Sequence, residues 1–242
     1  MRFNGFAIAA LTLCTSTLAF AQAPAAQAPA AQPDGSLAVK DGGIFAKGWM
    51  GKIDAQEEKS GQVLNNAKLA PAANGALQVT TGPAVTYWNP KNVASGNYTV
   101  KATFTEANYM GLNDHPHPYG IVIAGNEMGT DNQSYLYCSA YGNGSFIVRG
   151  FGPAAFQMGG RRPTPHDSVN KAAGKGSSVT QEIAVSIDAD SVDCSINGKV
   201  VASYPKAELV AAGKLKATDG VYGLRFAHNT DAVVTGLTVT KQ

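Results

Sequence analysis

Charged side chains are scarce in this sequence. Lys, Arg, Asp and Glu make up 15% of its 242 residues, well below the ~25% usual for soluble domains. The 19 basic and 17 acidic side chains leave a formal net charge of +2, and Arg161-Arg162 is the only pair of adjacent basic residues. Nucleic-acid binding and polybasic membrane binding both need a concentrated basic surface. The sequence therefore predicts neither kind of partner.

Long apolar runs are also missing. A transmembrane helix needs about 20 apolar residues, and the longest apolar stretch covers only residues 6–20. This stretch follows the positive Met1-Arg2 pair and ends in Ala19-Phe20-Ala21, the small-x-small pattern that signal peptidases cleave. We therefore expect a signal peptide over residues 1–21, cleavage near Ala21, a periplasmic or extracellular location and no transmembrane segment.

Residues 22–36 contain mainly Ala, Pro and Gln and almost no charge. Repeated proline prevents a regular helix, and small and polar side chains cannot form a core, so we expect a disordered spacer. The remaining residues, 37–242, suit a single all-β domain.

Cysteine is limited to three residues, and signal-peptide cleavage would leave Cys138 and Cys194. An even number of cysteines in an oxidising compartment is typical of a disulfide. Both cysteines fall at apolar positions of alternating segments, however, where they would equally suit two separate buried thiols. The sequence leaves both alternatives open.

Helical periodicity is nearly absent, and residues 207–212 are the one helical candidate. Short alternating runs broken by turn residues fill the chain from residue 76 onward, and Asn197-Gly198 is a strong hairpin signal. This pattern predicts an all-β fold, a two-sheet antiparallel jelly-roll sandwich with one short helix. The predicted strands cover 76–81, 85–89, 98–105, 120–124, 134–140, 145–149, 179–188, 191–196, 199–204, 220–226 and 232–240.

Three segments resemble the concanavalin A-like lectin/glucanase superfamily. They read HPYGIVIAGNEMGTDNQSYLYCSAYGNGSFIVRGF, EIAVSIDADSVDCSINGKVVASYP and DGVYGLRFAHNTDAVVTGLTVTK. In strand order and spacing the resemblance covers most of residues 76–242, and it is nearest to the secreted bacterial 3-keto-disaccharide hydrolase-like and laminin-G-like domains. It implies a concanavalin A-like sandwich, a fold that hosts lectins, glycosidases and domains of other roles.

Carboxylates do not cluster as glycosidase chemistry requires. Glycosidases use two carboxylates roughly 5–10 Å apart, and sandwich glucanases of the superfamily carry an E-x-D-x-E strand motif that this chain lacks. Glu106, at a strand end, and Glu127 with Asp131, in one loop, are the weak catalytic candidates. Exposed acids of surface loops explain these three residues better than a catalytic pair does. No G-x-S-x-G elbow, P-loop or dinucleotide fingerprint is present.

Aromatic residues indicate a binding face. Tyr135, Tyr137 and Tyr141 alternate with apolar residues, so they are predicted to share the outer face of one strand. Such rings can contact sugar C–H groups and their hydroxyls can hydrogen-bond, although cross-strand tyrosines also simply stabilise sheets. The remaining ligand-binding candidates are Tyr119 and the residues that the resemblance places near the same cleft, His115, His117, His228 and Asn229.

Two histidines separated by one residue raise the alternative of a metal site. His115 and His117 need a third ligand, such as His166 or His228. Pro116 and Pro118 make the segment polyproline-like, so the two rings need not align as in a strand. No transition metal is therefore predicted. No cofactor is predicted, and calcium is the one that stays open, although no loop has the dense oxygen pattern of calcium loops.

We expect a secreted domain that binds a saccharide or cell-envelope glycan and has no evident catalytic motif. Two alternatives stay open. One is a sugar-active enzyme, a glycoside hydrolase or lyase of the 3-keto-disaccharide hydrolase-like kind. The other is a protein-interaction domain, which would show an exposed apolar patch and no polar cleft.

Overall fold

A computed structural model describes Met1 and residues 35–242 of the chain. The predicted signal peptide and most of the predicted spacer lie outside the described residues. The last two residues assigned to the spacer, Gly35 and Ser36, are described and make hydrogen bonds. The Gly35 carbonyl accepts one from Asn229 at 3.2 Å, and the Ser36 hydroxyl donates one to Glu57 at 2.7 Å.

Two eight-stranded sheets make up the described part of the domain. We call the first the back sheet. All its strand pairs are antiparallel except β1–β3, which is parallel. In spatial order it contains β1 (Gly43–Ile44), β3 (Lys68–Pro71), β4 (Leu77–Thr80), β16 (Asp231–Lys241), β6 (Tyr98–Glu106), β12 (Val179–Ile187), β13 (Ser191–Ile196) and β14 (Lys199–Pro205).

The second sheet, called the front sheet, is antiparallel throughout its described pairs. Its two central strands have breaks in register, which is where β-bulges bend a sheet. In order it contains β10 (Ala155–Met158), β9 (Ser145–Phe151), β8 (Ser134–Ala140), β7 (Tyr119–Asn126), β15 (Gly220–Phe226), β5 (Val85–Ala94) and β2 (Met50–Ile53), and β11 (Thr164–Pro165) pairs with β9.

The core lies between the sheets and follows the alternation of the strands. On β12 the apolar residues Ile183, Val185 and Ile187 are at most 1% exposed, while the residues between them are half-buried. Aromatic rings fill the centre, where Phe104 of the back sheet stacks on Tyr119 of the front sheet with ring centroids 5.5 Å apart. The observed architecture is the predicted antiparallel sandwich.

Cys138 and Cys194 form a disulfide. Cys138 lies on β8 and Cys194 on β13, so the bond joins the front sheet to the back sheet through the core. Of the two alternatives that the sequence left open, the structure has the bonded pair.

The described residues contain one more helix than the sequence predicted. Within Met1 and residues 35–242 there are two short α-helices, α1 (Ala55–Lys59) and α2 (Lys206–Leu209), of which only α2 was expected. Helix α1 has no buried residue, so it carries none of the apolar periodicity by which a helix is recognised. Among the described residues, no helix has the length and apolar character needed to cross a membrane.

Candidate functional site

A cleft of about 200 Å³ opens on the outer face of the front sheet. We call it the front cleft. Strands β8 and β9 supply Tyr137, Ser139, Ile147 and Arg149, and β15 supplies Arg225. The segments flanking the strands complete it with Ala84, His117, Pro118, Tyr141, Ala227 and His228.

Strand alternation and register explain why these side chains meet. On β8, Leu136 and Cys138 face the core, so Tyr137 and Ser139 point to the outer face. On the neighbouring strand, Arg149 lies opposite Tyr137 in the antiparallel register. The strands thus place a tyrosine, a hydroxyl and a guanidinium side by side.

Gly120 makes room for the cleft. It lies between Arg225 of β15 and Ser139 of β8 in the register of the front sheet. A Cβ atom at this position would come within 1.9 Å of the Cys138 carbonyl oxygen, a distance that no side chain can adopt. The close approach of the two backbones therefore requires glycine here and leaves no side chain between Arg225 and Ser139.

Arg225 is buried beneath the cleft and held from several directions. Its guanidinium donates to both carboxylate oxygens of Asp54, at 2.7 and 2.5 Å, and to the Thr86 hydroxyl at 3.1 Å. It also lies 5.5 Å from the ring centroid of Tyr137 and 5.6 Å from that of Phe151. A bidentate ion pair of this kind fixes both orientation and charge. Arg225 is thus a rigid part of the cleft floor.

Two polar atoms near the cleft have no hydrogen-bond partner within the described protein. They are the Ser139 hydroxyl oxygen and the Arg149 Nε, and both are buried. Arg149 is anchored through Nη2, which donates to the Arg161 carbonyl at 3.1 Å. Buried polar groups are normally satisfied. These two atoms therefore have unused hydrogen-bonding capacity, which a ligand would reach once the side chains that cover them move slightly.

The tyrosines lie on the predicted face but are too deeply buried to form an open platform. Tyr135 is 1% exposed, Tyr137 7% and Tyr141 8%. The Tyr135 hydroxyl is already paired with Thr86 at 2.8 Å, so Tyr135 supports the cleft floor. Burial raises the pKa of Tyr141, although Arg149 opposes the shift, and Tyr141 therefore keeps its proton at neutral pH.

Two further binding candidates are structural residues. Tyr119 is fully buried between the sheets, because it shares the strand phase of Ile121 and Ile123 rather than that of the outer face. Asn229 is 2% exposed. Its side chain accepts from the Leu37 amide at 2.8 Å and donates to the Gly35 carbonyl, so it holds the first described residues against the domain. Neither can contact a ligand in the front cleft.

Three histidines from two chain segments converge at one end of the cleft. The His117 ring is stacked on His228 with centroids 4.1 Å apart and meets His115 edge-on at 4.4 Å. One ligand atom from each ring lies within 4.8 Å of the others. The backbone holds the two segments together, because the Ala227 amide donates to the Pro118 carbonyl at 2.9 Å. The fourth histidine, His166, bonds instead to Ser168.

The three acidic candidates do not form a catalytic pair. Asp131 forms an ion pair with Lys52 at 3.0 Å and is fully exposed, and Glu127 forms an ion pair with Lys216. Glu106 lies at the inward-facing end of β6. None of the three lines the front cleft. They are therefore not positioned to act there as the two carboxylates of a glycosidase.

Glu106 is nevertheless unusual. It is 6% exposed, its Oε1 accepts from the Met110 amide at 3.1 Å, and its Oε2 has no partner among the described residues. Burial raises the pKa of Glu106 to about 7, despite the opposing hydrogen bond from Met110. Ionisation at neutral pH therefore places an incompletely solvated charge inside the sandwich.

This shift predicts how stability depends on pH. Because the folded-state pKa of about 7 lies above the ordinary value of 4.5, the folded protein binds the extra proton between these values. Stability should then fall as pH rises from 4.5 to 7, by at most about 3 kcal/mol. Urea denaturation across this range should show the slope for the wild type and not for Glu106→Gln. The same dependence of stability on pH in Glu106→Gln would contradict the assignment. Glu182→Gln, which replaces a half-exposed carboxylate, is the control and should keep the wild-type slope.

A larger groove lies elsewhere on the domain. It has a volume of about 780 Å³ and is lined by residues of the β12–β13 turn, of α2 and of the loop before β15, including Asp190, Lys206 and Thr218. It contains no aromatic ring and no histidine. Volume alone would favour this groove. The front cleft, however, has the aromatic rings and two buried polar atoms, Ser139 Oγ and Arg149 Nε, that lack a partner among the described residues.

Solved structures share this fold at low sequence identity. Carbohydrate-binding module CBM66 from Bacillus subtilis is similar with a TM-score of 0.52 and 12% identity, covering 83% of this chain and 99% of that chain. A Bacillus subtilis protein of unknown function with a galectin-like fold has a TM-score of 0.51 and 13% identity, covering 81% and 90%. No protein-family model and no curated protein matches the chain.

Identities this low show a common fold alone, so a function must be argued from the cleft itself. The nearer relation to 3-keto-disaccharide hydrolase-like or laminin-G-like domains stays a prediction. At the level of the fold, the architecture agrees with the three segments quoted from the sequence. The chain has a two-sheet jelly-roll β-sandwich fold, which it shares with these two solved structures.

Proposed function

We propose that the front cleft binds the end of a saccharide chain. The observation that carries this proposal is a pair of buried atoms near the tyrosine-lined cleft, Ser139 Oγ and Arg149 Nε, that have no hydrogen-bond partner among the described residues. Sugar hydroxyls both donate and accept hydrogen bonds, so they can satisfy a serine hydroxyl and a guanidinium at once. The tyrosine edges and hydroxyls add apolar and polar contacts.

The size of the cleft limits what it can hold. About 200 Å³ is below the roughly 300–1,000 Å³ typical of pockets for drug-sized ligands. The cleft therefore suits one sugar unit, such as the end of a glycan. A secreted location, expected from residues 1–21, would bring the domain to envelope or extracellular glycans.

The charge of the cleft favours an acidic sugar. Its lining includes Arg149 and Arg225 and no carboxylate. Asp54 neutralises Arg225, whereas among the described residues the Arg149 side chain hydrogen-bonds only to a backbone carbonyl. An acidic saccharide could therefore make a charge-assisted hydrogen bond with Arg149.

Arg149 gives a direct test of this proposal. Isothermal titration calorimetry with polyuronate oligosaccharides and with neutral glucan oligosaccharides should show tighter binding of the acidic set. Arg149→Gln should weaken that binding about 10- to 100-fold, because hydrogen bonds to charged groups contribute ~1.5–3 kcal/mol. Arg162→Gln changes the same charge at an exposed residue outside the cleft and should leave affinity unchanged.

Two results would contradict saccharide binding at this cleft. One is the absence of binding across acidic and neutral envelope polysaccharides. The other is an equal loss of affinity in Arg149→Gln and Arg162→Gln, which would point to unspecific charge attraction. The polar cleft itself favours a saccharide over the alternative of a protein partner, which would call for an exposed apolar patch.

A sugar lyase is the second candidate, because His117 and Tyr141 lie in the same cleft as Arg149. Histidine and tyrosine can act as general acid and base. Hydrolysis through a carboxylate pair is disfavoured, since no carboxylate lines the cleft. Mass spectrometry of the saccharides after incubation separates the two functions, because only a lyase would yield shorter products with an unsaturated end, each lighter by one water than the corresponding hydrolysis product.

A further inference from the structure

We propose that His115, His117 and His228 bind a divalent transition-metal ion, with Zn²⁺ as the fitting example, at the edge of the front cleft. The three ligand atoms lie within 4.8 Å of one another. Imidazole nitrogen is a preferred ligand of zinc, copper and nickel. Three histidines with a further position for water or substrate are also a known zinc arrangement.

Hydrogen bonds of His117 fix which of its nitrogens faces the metal. Its Nδ1 lies 2.6 Å from the His228 carbonyl oxygen, and a carbonyl oxygen can only accept. The proton therefore sits on Nδ1, and Nε2 carries the lone pair. The Asn113 amide, 3.0 Å from the same nitrogen, donates instead to the Asn229 carbonyl at 2.8 Å. This is the usual way in which proteins orient a metal-binding histidine.

His115 is oriented in the same manner by a carboxylate. Its Nδ1 lies 2.9 Å from Asp114 Oδ1, so Nδ1 donates to the carboxylate and Nε2 is the nitrogen that points toward His117. The two Nε2 atoms are 2.8 Å apart, within hydrogen-bonding distance. A cation bound by both nitrogens would take the place of the proton that such a hydrogen bond holds between them. The pair thus presents two nitrogens that can bind one metal ion.

Small movements complete the geometry. Zinc–nitrogen bonds of about 2.0–2.1 Å in a tetrahedron place ligand nitrogens roughly 3.3 Å apart. The Nε2 pair at 2.8 Å must open slightly, and the widest spacing, within 4.8 Å, must close. The His115 side chain is about half exposed, so it can turn without disturbing the core. His117 and His228 both line the cleft, which places the ion beside the proposed ligand.

Calorimetric titration with Zn²⁺ tests this site. The full chain, made without a histidine tag and stripped with a chelator, should bind one equivalent with a dissociation constant of about 10 μM or tighter. His115→Ala and His228→Ala should each weaken binding by at least about 10- to 100-fold, the loss that even outer-shell substitutions cause. Asp114→Asn, which changes only a positioning residue, should weaken it less. His166→Ala, outside the cluster, should bind like the wild type.

Near-ultraviolet circular dichroism of each variant shows whether it remains folded. His115→Ala is the informative variant, because His115 is half exposed and its loss should leave the fold intact. Bound Zn²⁺ should also raise the thermal midpoint of the wild type and not that of folded His115→Ala. A failure of the wild type to bind Zn²⁺, or equal affinity in the wild type and His115→Ala, would overturn the site. No saccharide is present in this experiment, so its outcome is independent of the proposed saccharide binding.

Discussion

Removing the disulfide between Cys138 and Cys194 is expected to destabilise the domain by about 4 kcal/mol. The bond spans 56 residues, and closing a loop of that length removes entropy from the unfolded chain by roughly this amount. Both sulfurs also lie in the core between the sheets, so replacing them with alanine leaves space behind. Guanidinium denaturation of wild type and of the Cys138→Ala, Cys194→Ala double variant measures the loss.

The double variant also provides the control for reduction. A reductant should lower the stability of the wild type to nearly that of the double variant, and it should not change the double variant at all. Equal stability of the oxidised and reduced wild type would show that the bond contributes nothing.

Replacing Arg225 with methionine is expected to cost about 3–5 kcal/mol. The substitution removes one partner of a largely buried ion pair and leaves the Asp54 carboxylate, whose side chain is 24% exposed, without its cation. It also removes the guanidinium from beside the Tyr137 and Phe151 rings. Thermal and chemical denaturation measure the effect, and saccharide binding should weaken because the cleft floor is no longer fixed.

A second substitution separates the charge effect from lost packing. In the Asp54→Asn, Arg225→Met double variant no uncompensated charge remains, so it should be more stable than Arg225→Met alone. If the stability losses of the Asp54→Asn and Arg225→Met single variants simply add in the double variant, the two residues are not energetically coupled. The argument from the buried ion pair is then wrong.

The alternation of residues along the sequence predicted the central strands well, because each of these strands turns one face to the core and the other to the outside. Strands β8, β13 and β15 begin and end where they were expected. The pattern missed β1, β2, β3, β10 and β11, which have two to four residues each. So few residues cannot show a period of two, and most of these strands lie toward the edges of the sheets, where one side is not buried.

The candidate site was only partly predictable. Alternation correctly gave the face of Tyr137, but it carries no information on how deep a ring lies, which is set by the segments packed over it. The sequence did contain a signal that Tyr119 is buried in the core, because Tyr119 is in phase with two isoleucines of its strand. The contact of Arg225 with Asp54 joins residues 171 positions apart, and the meeting of His228 with His117 joins residues 111 positions apart. Tertiary structure alone brings these together.

Nuclear magnetic resonance of the isotope-labelled protein tests the central claim most directly. When an acidic oligosaccharide is titrated in, the largest shifts should come from residues of the front cleft, above all Ser139, Tyr141, Arg149 and His228. Shifts concentrated instead around the larger groove near Lys206 and Thr218 would place the binding site elsewhere. No shift at millimolar saccharide would mean that the front cleft does not bind the ligand proposed for it.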